Sequence, residues 1–159
     1  MDHSTHTHHH NVSPSLNRVA ISATAHCLTG CAIGEVLGMV IGTALGWSNV
    51  PTIVLAVILA FFFGYALTML PLLRAGLAFG SAMTAALAAD TVSIGIMEIV
   101  DNAIMVVIPG AMDAGLDSLL FWGSLAAALL IAGAAAFPVN RWLISKGWGH
   151  ALVHKHHGH

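Results

Sequence analysis

Residues 26–35 read His-Cys-Leu-Thr-Gly-Cys-Ala-Ile-Gly-Glu, and from there two rows of side chains recur every four positions. One row is Cys27, Cys31, Glu35, Met39 and Thr43. An i, i+4, i+8 series drifts slowly around a helix of 3.6 residues per turn, so these side chains form a ladder along one face. Its donors are two thiols, a carboxylate and a thioether, with the imidazole of His26 directly before them. Thiolate and thioether ligands favour soft ions such as Cu(I). Buried cysteine and methionine are also ordinary core residues, so the signal lies in the combination and not in any one of them. The same cysteines suggest a second chemistry, thiol–disulfide cycling with His26 as the activating neighbour. The spacing is C-x-x-x-C, however, and not the C-x-x-C of thioredoxin-like motifs. A structural disulfide is not expected, because cysteines one turn apart on a helix tie nothing together.

Further acids lie in an apolar stretch: Asp90, Glu98 and Asp101, with Asn102 beside them. An ionisable residue at membrane depth is expensive, and it marks function by default. Measured from Arg18 and Arg74 as markers of one membrane face, Glu35 and Asp90 fall at the same height, as do Cys27 and Met83. Met83, Asp90, Met97, Asp101 and Met105 fall near one heptad face. Two buried carboxylates at one height would share a proton or bind a cation. The plainer alternative is a polar clamp, with Asp90 and Glu98 hydrogen-bonded to Thr91, Ser93 or Asn102. Glu98, Asp101 and Asn102 lie further out, as a polar path or its entrance.

Both ends of the chain offer imidazoles. His3 stands third from the terminus, where a free amine, two backbone nitrogens and the imidazole make a square-planar site for Cu(II) or Ni(II). His150 and His154 are one helical turn apart, a spacing that chelates one ion such as zinc. The competing reading of such tails is a non-specific metal sponge.

These residues sit in a chain of 159, of which 57% are hydrophobic and 8% charged, with a mean hydropathy of +0.85. Soluble domains carry about 25% charged residues, so composition excludes a water-soluble enzyme domain. It also excludes a nucleic-acid binder, which needs a basic face. Apolar stretches at 18–47, 52–73, 75–111 and 118–138 each reach the roughly 20 residues that one crossing needs. The expected fold is all-α: a four-helix transmembrane bundle in membrane lipid, its third helix long, tilted or broken. Residues 1–17 form a histidine-rich disordered tail, 18–138 the membrane domain, and 139–159 an amphipathic histidine-rich segment. The run before Cys27, VAISATA, is too short for a cleaved signal. With four crossings, all five Lys and Arg residues fall on the side of the termini, and Asp113 and Asp117 on the other. The rule that cytoplasmic loops are positive places both termini in the cytoplasm of a bacterial inner membrane.

The other recurring row is Gly30, Gly34, Gly38, Gly42 and Gly46. A small-residue stripe lets another helix backbone approach closely, either within the chain, in a homo-oligomer or from a partner helix.

Two stretches, His26-Cys27-x-x-Gly30-Cys31-x-x-Gly34-Glu35 and Asn140-Arg141-Trp142 running on to Gly149-His150 and His154, resemble a family of small bacterial four-helix membrane proteins known as a domain of unknown function. The resemblance runs from about Val19 to His157 and implies fold and membrane location but no activity. The reading that unites these features is a non-enzymatic membrane protein handling a soft metal, copper first, with zinc or nickel behind it. His26, Cys27 and Cys31 would bind the ion, and Glu35, Asp90 and the methionines would continue the path. A membrane thiol oxidoreductase and a non-catalytic assembly subunit packed through its glycines are the rivals.

Overall fold

The computed structural model describes residues 15–146 as four helices: α1 (Leu16–Ala44), α2 (Asn49–Arg74), α3 (Phe79–Val107) and α4 (Leu119–Ser145). Each is long and apolar enough to cross a membrane. The third apolar stretch folds as one unbroken helix of 29 residues, the same length as α1. At 1.5 Å per residue both run about 43 Å, more than the hydrocarbon core of about 30 Å. Their ends therefore reach the headgroups or the helices tilt. The third helix is long, as expected, and α1 equals it.

Turn chemistry fixes the helix ends. After α1, Gly46 adopts φ +66°, its N–H bonds to the Thr43 carbonyl and the Trp47 N–H bonds to the Gly42 carbonyl. That double closure satisfies carbonyls that a helix end leaves open, and it suits glycine because the left-handed region excludes a Cβ. Gly46 therefore belongs to the cap and not to the glycine stripe. Gly76 closes α2 in the same way onto Leu73, with Leu77 bonding to Leu72.

The helices run up and down in sequence, so α1 and α3 are parallel and α2 and α4 oppose them. At one end Asn49 donates to Asp113, joining the start of α2 to the α3–α4 connection. At the other, Arg141 donates to Asn17 at 2.7 Å and Asn140 to Thr24 at 2.9 Å. The described basic residues Arg18, Arg74, Arg141 and Lys146 cluster at this second end. Helix α4 continues through Pro138 to Ser145, so Asn140, Arg141 and Trp142 are its last turns and not the start of a separate segment.

Packing is inverted relative to a soluble bundle. Large apolar side chains such as Ile58, Phe62, Ile99 and Leu130 are exposed on the outside, while Glu35, Asp90, Ser93, Glu98 and Asp101 are buried. The glycine stripe lies inside the chain. Gly30, Gly34, Gly38 and Gly42 meet Gly64, Ala60, Ala56 and Thr52 of α2, each step along α1 matched by an equal step back along α2. A Cβ at Gly30 would stand 2.7 Å from the Gly64 Cα, and one at Gly34 would overlap the Ala60 backbone. Of the occupants the stripe could take, the chain's own second helix is the one that covers it. This close α1–α2 contact turns the Cys/Glu row of α1 toward α3, which it meets across the bundle diagonal.

Candidate functional site

Cys27 and Asp90 each stand eleven residues past the first residue of their helices, Leu16 and Phe79. Parallel helices of equal length starting at one level bring such positions together, and Cys27 Sγ donates to Asp90 Oδ1 at 3.5 Å. The height estimate from the arginines is therefore displaced by seven residues, or two turns. Arg18 lies in the first turn of α1, but Arg74 ends α2, and the connection at 75–78 separates it from α3. Glu35 and Asp90 are not level, and neither are Cys27 and Met83. Met83 packs instead with Met69, Leu72 and Tyr65 between α2 and α3.

From this first rung the seam between α1 and α3 continues in order. His26, half-buried, faces Asp90, and Thr68 of α2 and Ser93 complete the polar surroundings of Asp90 and Cys27. One turn on along α1, and two along α3, Cys31 faces Glu98, and Met97 packs in the same cluster as both cysteines. One further turn on, Glu35 faces Asp101, with Glu98 close by. Cys27 and Cys31 are each 1% exposed and free of any disulfide.

The carboxylates are poorly satisfied for their depth. Both oxygens of Glu35, both of Glu98 and Oδ1 of Asp101 lack a protein hydrogen-bond partner of normal geometry. Buried polar atoms without partners are rare, and each calls for an explanation. Here a proton bridging Glu35 and Asp101, or a cation, would supply the missing partner. For the polar-clamp alternative at Glu98, the Asn102 amide donates to the Glu98 backbone carbonyl and not to its carboxylate. Thr91 bonds to Tyr65 and to the Leu87 carbonyl on the outer side of α3.

Past the Glu35–Asp101 rung lies a cavity of about 30 Å³ lined by Glu35, Met39, Asp101, Asn102, Met105 and Met112, with Ile53, Ala56, Phe121 and Leu125 as its apolar walls. Met112 carries no signal in the sequence because it belongs to the α3–α4 connection, where there is no helical periodicity to read. The Pro109–Gly110 turn, with Gly110 at φ +78° and Ala111 bonded back to Ile108, folds that connection over the bundle. The contact of Asn140 with Thr24 was equally hidden, since it joins residues 116 apart.

Among the described residues, no three His, Cys, Asp or Glu side chains converge into a closed metal-holding group. The donors form a string of pairs along the seam. His3, His150 and His154 lie outside the described residues.

No curated protein and no solved structure matches the chain. Residues 16–149 match the domain of unknown function DUF4396, so the match takes in both the cysteine motif and the Asn140-Arg141-Trp142 motif and stops one residue before His150. The chain, with its four apolar helices and its paired thiol and carboxylate seam, belongs to the DUF4396 family.

Proposed function

We propose that this protein binds a soft transition metal, copper as Cu(I), within the membrane and passes it along the α1–α3 seam. The observation that carries the reading is the pairing of each buried thiol with a buried carboxylate, Cys27 with Asp90 and Cys31 with Glu98, beside the thioether of Met97. Hydrophobic packing alone gives no reason to bury four carboxylates beneath an apolar exterior. Thiols and thioethers select Cu(I) over harder ions, and the carboxylates offset its charge where the described arginines and lysine do not reach. A string of pairs suits movement of an ion better than storage, because no rung encloses it fully. The histidine tails would collect the ion at the cytoplasmic face of a bacterial inner membrane, an orientation supported by the rule that cytoplasmic ends carry the basic residues.

The thiol-redox alternative has a specific obstacle: at 1% exposure neither sulfur is open to a partner thiol. The assembly-subunit alternative loses its docking face, since α2 occupies the glycines.

Anaerobic competition for Cu(I) against bicinchoninate, on the full chain in detergent, tests the proposal. The expected result is that C27S/C31S loses at least one chelator-resistant equivalent of copper. Undiminished binding by that variant sinks the cysteine site.

A further inference from the structure

The cysteine rungs do not account for the cavity at the other end of the seam. Its lining brings three thioethers, Met39 of α1, Met105 of α3 and Met112 of the α3–α4 connection, to the same small space as Glu35, Asp101 and Asn102. Three separate segments thus deliver methionine to one point, although neighbouring wall positions use Ile53, Phe121 and Leu125. The volume of about 30 Å³ exceeds the 10–15 Å³ needed for one water-sized occupant and excludes an organic ligand. Glu35 and Asp101 are 4% and 3% exposed, line this space, and have oxygens without protein partners. An apolar packing defect would not be lined by two unsatisfied carboxylates, and a water-filled pocket would not gather thioethers. Neutral sulfur donors and anionic oxygens together suit a singly charged soft cation, which thioethers bind without demanding a full negative shell.

We infer that this cavity is a second metal site, holding one soft monovalent cation, Cu(I), through Met39, Met105 and Met112 with the Glu35–Asp101 pair as its counter-charge. The site goes beyond the cysteine rungs in place and ligand set, and rests on the proposed function for the identity of the ion. Binding involves no change of oxidation state. The groups facing the pair are Glu98 on α3 and Cys31 on α1, while α2 and α4 contribute only Ile53, Ala56, Phe121 and Leu125.

The test is X-ray absorption at the copper edge on full-length protein loaded anaerobically from the Cu(I)–bicinchoninate complex. In the C27S/C31S variant any sulfur around copper must come from methionine. The expected result is sulfur scattering in C27S/C31S and its loss when M39L, M105L and M112L are added. Nitrogen and oxygen scattering alone in C27S/C31S, or sulfur scattering that survives the three leucines, overturns the site. If the leucine variant does not fold, C27S/C31S/E35Q/D101N replaces it: copper retention against the chelator falls at least about tenfold, and unchanged retention overturns the site. Failure of the cysteine reading is recognised separately, by a wild type that loses no copper on C27S/C31S substitution while the methionine signal persists.

Discussion

Cys27 Sγ sits 3.5 Å from Asp90 Oδ1 across the α1–α3 seam, a contact made possible because both residues stand at the same height in parallel helices. Asp90 is fully buried, so a negative charge on it in the metal-bound state would act at Cys27 with little screening. D90N keeps the size and removes the charge. The thiol gives up this hydrogen bond when copper displaces its proton, so what D90N takes from the bound state is counter-charge, and chelator competition is expected to show a loss of Cu(I) affinity of about tenfold, or about 1.4 kcal/mol. An unchanged affinity would mean that Asp90 serves packing alone.

The close approach of α1 and α2 sets the rotation of α1 and so the direction of its cysteine row. G34L would drive a side chain into the Ala60 backbone, and overpacking a tight core costs about 1–3 kcal/mol. A lowered midpoint of denaturation in detergent is expected. Gly95 has open space around its missing Cβ, so G95A, set beside G34A, which already drives a Cβ into the Ala60 backbone, is the matched control and should leave the midpoint in place. Equal effects at both positions would refute the packing assignment.

The bond from Asn140 to Thr24 ties the end of α4 to α1 one turn before Cys27. Interhelical hydrogen bonds in membrane proteins average about 0.6 kcal/mol in double-mutant cycles. A cycle built from N140A and T24V should return a coupling of that order in unfolding free energy. A coupling indistinguishable from zero would leave the pair as a geometric coincidence.

On the proposed reading, copper and protons compete for the same seam. Thiols and shared carboxylates must give up protons to bind the ion, so affinity rises with pH and falls as pH drops. Loading Cu(I) at fixed pH should release protons, measurable by pH-stat titration. In the C27S/C31S background the release assigned to Glu35 and Asp101 is about one proton per ion, and E35Q/D101N abolishes it. Proton release that persists in that variant would place the exchange elsewhere.

Orientation is testable by thiol labelling in the C27S/C31S background. Asp113 and Lys146 lie at opposite ends of the bundle. With the basic end in the cytoplasm, D113C labels in intact cells with a membrane-impermeant reagent and K146C labels only after permeabilisation. The reverse pattern would invert the path.

The number of helices, the glycine row and the Cys/Glu ladder were legible because each repeats with the period of a helix, a property local to one segment. The pairing between helices was not. It depends on where each helix begins, and depth measured from Arg74 shifts α3 by two to three turns. That shift levels Asp90 with Glu35, whereas Glu35 faces Asp101. Met83, equally conspicuous as a methionine near an acid, belongs to the other side of α3. Met112 was silent because a connection has no periodicity to read. The destination of the glycine stripe was open for the same reason as the register: a stripe shows that something packs closely, not which helix does.

The most direct measurement is the copper content of two full-length proteins after dialysis against bicinchoninate. One carries alanine at the ten histidines outside α1, and the other keeps them but carries C27S/C31S. If the seam is the site, the first retains its tightly held Cu(I) and the second loses at least one equivalent of it. Copper that vanishes with the histidines and is unaffected by loss of the cysteines would contradict the account.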